Sequence, residues 1–171
     1  MRCTGLLNEI TSFQSRQSLR FGTLRCSLFA IPMSTKPKLS DNITKQLDEQ
    51  GISYEFLTEK ELLEVDVKWR KKFIGKRTAP HLEIFRWHIF SFQATKSIKG
   101  TDANKEYKKQ HPTDIYIFNE QLRYGLKCMK QSKLPNIEME DFFDDIYICH
   151  HNMKWTYVIT HESPALGPYF S

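Results

Sequence analysis

The sequence contains little glycine and little proline, seven of each among 171 residues. Low-complexity, collagen-like and largely disordered chains contain far more of both, so these classes are excluded. No run approaches the roughly 18–20 consecutive apolar residues of a membrane-spanning helix, and we expect no such helix. What the sequence does contain is 40% hydrophobic residues, including 12 Phe, 7 Tyr and 3 Trp. That supply is sufficient for the core of one globular domain.

Cysteine is also scarce. The four cysteines, at positions 3, 26, 128 and 149, form no C-x-x-C pair, which excludes a zinc ribbon and a thioredoxin-type redox motif. Two lie near the amino terminus and two lie in the body, a distribution that does not match a disulfide framework. We therefore expect a reducing, intracellular compartment.

Excess positive charge is concentrated at one end of the chain. The net charge is +5, but residues 1–32 hold four arginines against the single acid Glu9, and residues 33–171 are nearly balanced. The overall charge is therefore a weak argument for nucleic-acid binding.

Residues 1–39 form a leader that we exclude from the folded domain. Residues 1–32 are rich in arginine, serine and threonine and almost free of acids, a composition typical of an organelle transit peptide. Two alternatives remain open: Met33 is the true initiator, or the leader is a disordered tail. A transit peptide predicts a mitochondrial or other organellar location, and otherwise the cytoplasm is expected.

Local patterns predict two helices and a strand at the start of the body. Ser40 is expected to cap a short helix that ends at Gly51, and residues 52–56 alternate as a half-buried strand does. Thr58 and Glu61 form a capping box that opens a helix running to about residues 72–76. The apolar stripe of that helix consists of Leu62, Val65, Trp69 and Phe73.

The rest of the body is predicted to alternate between helices and strands. Residues 81–92 fit both spacings, and their rings and β-branched residues favour a strand at 86–92. The other predicted elements are helices near 102–110 and 120–131, and strands at 114–117, 145–149 and 154–160. A loop at 150–153 joins the last two strands into a C-terminal antiparallel hairpin. The fold class is thus α+β (mixed α/β), a single compact domain over residues 40–171 with one sheet covered by helices.

The C-terminal segment resembles the closing motif of a family of small proteins of unknown function, best represented in Bacillus-type bacteria. The motif is W-T-Y-V-I-T-H-E at 155–162, followed by G-P-Y-F at 167–170. W-H-I-F-S at 87–91 and G-T-D-A at 100–103 extend the similarity. The resemblance implies a shared single-domain fold and supplies no activity. The residues that carry the motif are Trp87, Trp155, Thr160, Gly167, Pro168, Tyr169 and Phe170.

His161 and Glu162, with His88 in support, are the candidate catalytic and metal-binding residues. An imidazole and a carboxylate at a strand end can bind a divalent metal or act as an acid/base pair. The alternative is structural: both side chains hydrogen-bond the backbone around Gly167 and Pro168 and hold the C-terminal tail on the core.

Two other clusters have a functional and an ordinary interpretation. Lys68, Arg70, Lys71 and Lys72, continued by Lys76 and Arg77, can face phosphates or form a solvated helix face. The acidic run 138–145 offers them a counterpart. Paired histidines such as His150 and His151 can ligate a metal, but adjacent residues on a strand point to opposite faces, and an exposed hairpin loop is the favoured interpretation.

Three functions are compatible with these patterns. The first is a protein-binding, accessory module without catalysis, since no strong catalytic signature is present. The second is a metal-assisted or acid/base enzyme centred on His161 and Glu162. The third is nucleic-acid binding through the basic helix at 68–77. No motif implies a particular cofactor.

Overall fold

The computed structural model of the protein describes residues 39–76, 85–139 and 144–171. The predicted leader therefore lies almost wholly outside the described residues, and so do Arg77 of the basic cluster and residues 140–143 of the acidic run. The described residues belong to one compact unit. None of their helices is both long and apolar enough to cross a membrane.

The described residues form four helices and seven short strands of an α+β domain. The helices are α1 (Leu39–Glu49), α2 (Glu59–Trp69), α3 (His88–Ser91) and α4 (Thr101–Lys109), and a π-helical turn (Arg70–Ile74) continues α2. The strands are β1 (Glu55–Phe56), β2 (Ile98–Lys99), β3 (Ile115–Asn119), β4 (Gly125–Cys128), β5 (Ile146–His150), β6 (Thr156–Ile159) and β7 (Tyr169–Phe170).

All seven strands join one antiparallel sheet in the order β1-β4-β3-β5-β6-β7-β2. The predicted C-terminal hairpin is confirmed: β5 and β6 pair directly, with Ile146 opposite Ile159 and Cys149 opposite Thr156. Because β7 pairs with β6, the end of the chain becomes part of the sheet.

The prediction of one sheet covered by helices is confirmed, and the helices lie on both of its faces. Successive strand residues point to opposite faces, so the central strands β3, β5 and β6 contribute to two separate cores. Ile115 and Ile117 of β3 pack in the core that includes α1 and α4. Phe118 packs in the other core, with α2, the π-helical turn and α3.

The capping box predicted at the start of α2 is present. The Thr58 hydroxyl accepts a hydrogen bond from the Glu61 amide at 3.3 Å, and the Glu61 carboxylate accepts one from the Thr58 amide at 2.9 Å. The predicted apolar stripe is buried against the sheet. The end of α1 is also as expected, since Gly51 follows it with a φ of 64°.

Two predicted elements are wrong. Residues 86–92 do not form a strand: they contain the single-turn helix α3, because Trp87, Ile89 and Phe90 all bury their side chains in one core. Residues 120–131 do not form a helix either. They contain β4, in which Leu126 and Cys128 alternate onto the same face, while Leu122 lies in the preceding turn with a φ of 52°.

Candidate functional site

Asp145 is the centre of a buried group of hydrogen bonds. Its carboxylate accepts bonds from the Trp87 indole at 3.1 Å and from the His161 amide at 2.8 Å, and it lies 2.8 Å from His161 Nδ1. The register of the β5–β6 hairpin explains why Asp145 and His161 lie close together. Asp145 immediately precedes β5 and His161 follows β6, and those strand ends are paired. Since Asp145 is only 1% exposed, these partners satisfy a carboxylate that water does not reach.

The Asp145 contact determines which nitrogen of His161 is available. With Nδ1 directed at a carboxylate, Nε2 is the nitrogen left to accept or donate a proton. Nε2 lies 3.7 Å from the Glu162 carboxylate, and the His161 side chain is 26% exposed. The arrangement resembles the base and orienting acid of a catalytic triad, so it is chemically capable of general acid/base work.

His88 lies on α3 and joins the same group of aromatic rings. The Phe85 ring contacts both histidines, with its centroid 5.4 Å from that of His88 and 5.3 Å from that of His161. The strand predicted at residues 86–92, which would include His88, is not formed. Within the described ranges, no three or more His, Cys, Asp or Glu side chains are grouped so that they could hold a metal ion.

The segment after His161 is folded back onto the core by contacts of the closing motif. The Thr160 hydroxyl donates to the Leu166 carbonyl. Gly167 has a φ of 121°, and a Cβ there would lie 2.8 Å from Thr160 Oγ1, so only glycine fits. Tyr169 then stacks on Trp87, with ring centroids 6.1 Å apart. It is therefore Thr160, rather than the side chains of His161 and Glu162, that bonds the backbone before Gly167.

Sequence reasoning missed a second buried polar group, centred on Arg86. The Arg86 guanidinium donates to Asp66 at 2.9 Å and to Glu120 at 2.7 Å, with Glu120 also accepting from the Tyr147 hydroxyl. Burial raises the pKa of Glu120 above its usual range, although the charge of Arg86 opposes that shift. These residues are far apart in sequence, and no local spacing links them.

The basic cluster lies on an exposed helix surface. Lys68, Lys71 and Lys72 are all exposed, while Arg70 donates to Asp66 at 2.8 Å. The acidic run does not provide their counterpart in the described residues. Its last member, Asp145, is buried against His161.

His150 and His151 differ in their surroundings. His150 ends β5 and is buried, and its Nδ1 accepts the Asn152 amide at 2.9 Å, which corrects the expectation of a wholly exposed loop. Burial lowers the pKa of His150, which favours the neutral imidazole. The His151 ring stacks on it with centroids 4.5 Å apart.

One apolar surface feature was also missed. Leu63 and Val67, four residues apart on α2, are 50% and 62% exposed, and they point away from the core that the same helix covers. Charged side chains surround them, namely Glu59, Lys60, Glu64 and Lys68. The signal in the sequence is the spacing of four between two apolar residues outside the buried stripe. We call this surface the outer face of α2.

Comparison with known proteins places the chain in a family. The family model described as "Domain of unknown function (DUF4275)" matches residues 45–170, which is most of the chain and includes Asp145, His161 and the outer face of α2. Comparison with curated proteins and with solved structures finds no match to the chain. The chain therefore belongs to the DUF4275 family of domains of unknown function.

Proposed function

We propose that the domain is a protein-binding, accessory module that contacts its partner through the outer face of α2. The observation that carries this proposal is the exposure of Leu63 and Val67 side by side on one helix. Two apolar side chains one turn apart, within a ring of charged ones, have the pattern with which an amphipathic helix docks on a partner surface. Burial of that pair on binding would release water from both side chains.

The arrangement of the polar side chains supports the same function. In the two buried polar groups, around Asp145 and around Arg86, the side chains bond to other groups inside the domain. Such closed groups stabilise a scaffold and leave few of their donors and acceptors for a substrate. The outer face of α2, by contrast, has apolar area that nothing in the described part of the domain covers.

Photochemical cross-linking tests this proposal in cells. The photoreactive residue p-benzoylphenylalanine is placed at Leu63 or Val67 of the full chain, and at the exposed Lys108 of α4 as a matched control. We expect a defined cross-linked product from positions 63 and 67 after irradiation, and none from position 108. Absence of a product at both α2 positions, with the protein folded and expressed, would contradict the proposal.

Proton transfer at His161 is a second candidate function, favoured by the 2.8 Å contact of its Nδ1 with Asp145. That contact orients the ring and leaves Nε2 to exchange a proton near Glu162. This function requires that small molecules reach Nε2. Diethylpyrocarbonate, which modifies accessible neutral imidazoles, tests the requirement.

The modification rates at His161 and at the exposed His111 are measured by mass spectrometry in the native chain. We expect His161 to react at a rate comparable to that of His111, and Asp145→Asn to change the rate at His161 only. A His161 that reacts only after unfolding would exclude the acid/base function and leave a structural role.

A further inference from the structure

We propose that the partner bound at the outer face of α2 is a second copy of this chain, with the two α2 helices antiparallel across a two-fold axis. The inference rests on the proposed function, and it names the occupant of the same surface. Four exposed residues carry it, each four positions after the last: Glu59, Leu63, Val67 and Lys71.

These four residues form one stripe. A spacing of four turns a side chain by only about 40° per step, so Glu59, Leu63 and Val67 form one inclined row on the same side of α2. Lys71 follows one turn later, in the π-helical turn that continues the helix. The stripe thus carries an acid at one end, two apolar residues in the middle and a base at the other end.

The order of charges along the stripe, acidic at one end and basic at the other, favours a second copy of the chain in antiparallel orientation. A two-fold contact is reciprocal: where residue i of one subunit meets residue j of the other, residue j of the first subunit also meets residue i of the other. An antiparallel pair centred between Leu63 and Val67 places each Leu63 on the partner's Val67. It also places Glu59 opposite Lys71 of the partner subunit at both ends. A parallel pair would instead bring like charges together, which opposes association.

The size of the surface sets the expected strength. Two short helices in contact bury less than the roughly 1,600 Å² of a standard stable interface, so the dimer should be weak and depend on concentration. The apolar pair provides the attraction, and the end charges provide direction and specificity.

The test is a charge exchange followed by sedimentation velocity of the full chain over a range of concentrations. Glu59→Lys gives a stripe with two basic ends, and Lys71→Glu gives a stripe with two acidic ends. Each variant alone is expected to weaken dimerisation at least about tenfold, because both end contacts then join like charges. An equimolar mixture of the two is expected to dimerise again, because every end contact in the mixed dimer joins opposite charges.

Two further variants complete the design. Leu63→Asp is expected to abolish the dimer, and Lys108→Glu on α4, a matched charge reversal away from the stripe, is expected to leave it unchanged. Recovery in the mixture requires both variants to be folded, so loss of folding cannot imitate the expected result.

Three results would overturn the dimer. These are a chain that remains monomeric at every concentration, a dimer that survives Leu63→Asp, and single variants that fail to recover when mixed. If positions 63 and 67 cross-link to a different protein while the chain stays monomeric, the protein-binding function stands and the second copy is refuted. If they form no cross-link at all, both proposals fail together.

Discussion

Asp145→Ala tests whether the buried carboxylate holds the C-terminal segment on the core. The substitution leaves the Trp87 indole N–H and the His161 amide without an acceptor, and each orphaned buried donor costs about 1–3 kcal/mol. His161 Nδ1 is less affected, since its side chain is 26% exposed and water can replace the carboxylate. Removal of a buried charge offsets part of the loss. We therefore expect a destabilisation of about 2–4 kcal/mol.

Thermal unfolding of the full chain, followed by circular dichroism, measures this loss. For a chain of 171 residues the destabilisation corresponds to a drop in Tm of roughly 5–15 °C. The control is Asp102→Ala on α4, where the exposed pair with Lys105 predicts a loss below about 1 kcal/mol. A wild-type Tm for Asp145→Ala would refute the reasoning, because it would mean that the two donors are solvated or find other acceptors.

Three further predictions concern the core, the buried acid and the basic surface. Trp155→Ala should cost about 3–5 kcal/mol in urea unfolding, because Trp155 is only 6% exposed; an unchanged midpoint would contradict its place in the core. Burial raises the pKa of Glu120, so in the pH range between the usual glutamate pKa and the raised one the folded chain binds more protons than the unfolded chain. Stability should therefore fall as pH rises from the usual glutamate range through the raised pKa, and Glu120→Gln should flatten that slope in unfolding measured across pH. Reversing both Lys71 and Lys72 to Glu should leave the Tm of the monomer within a few degrees, and a large drop would show that these side chains are not solvated.

Elements with local signals were predictable from the sequence. A capping box such as that of Thr58 and Glu61 involves only four consecutive residues, so its hydrogen bonds are determined by local geometry. The hairpin was predictable for a similar reason: the loop that joins β5 and β6 is short and the residues of the strands beside it alternate. In both cases the interactions that form the element lie within the sequence window that suggests it.

The two wrong elements depended on contacts with distant parts of the chain. Gly125 lies in β4, where a Cβ would come within 2.7 Å of the Leu62 side chain of α2. A side chain at position 125 would displace the end of the Leu62 side chain, so β4 packs closely under α2, and no local pattern around position 125 in the sequence indicates that contact. Residues 86–92 show the same effect. Trp69 of α2 packs edge-on against Phe90, with centroids 6.2 Å apart, and tertiary packing outweighs local β-propensity.

The candidate site was predictable only in part. His161 and Glu162 stood out as titratable residues at a strand end, and the predicted hairpin already implied that position 145 lies near position 160. The burial of Asp145 beside His161 was not predicted, because a run of acidic residues suggests a solvated surface. Arg86 gave no signal, since its partners Asp66 and Glu120 are 20 and 34 residues away.

A buried charged residue on the inner face of α2 supports the binding surface proposed on its outer face. On the inner face of the helix, Asp66 bonds Arg86, and Arg86 in turn bonds Glu120, which directly follows β3, so these contacts link α2 to the end of a sheet strand. A helix held in this way presents its outer side chains in a constant arrangement, which lowers the entropy lost when a partner binds. Asp66→Asn should therefore weaken self-association as well as stability, although Asp66 does not belong to the stripe. Equal dimerisation of Asp66→Asn and the wild-type chain, measured by sedimentation at a temperature where both are folded, would show that this support is not needed.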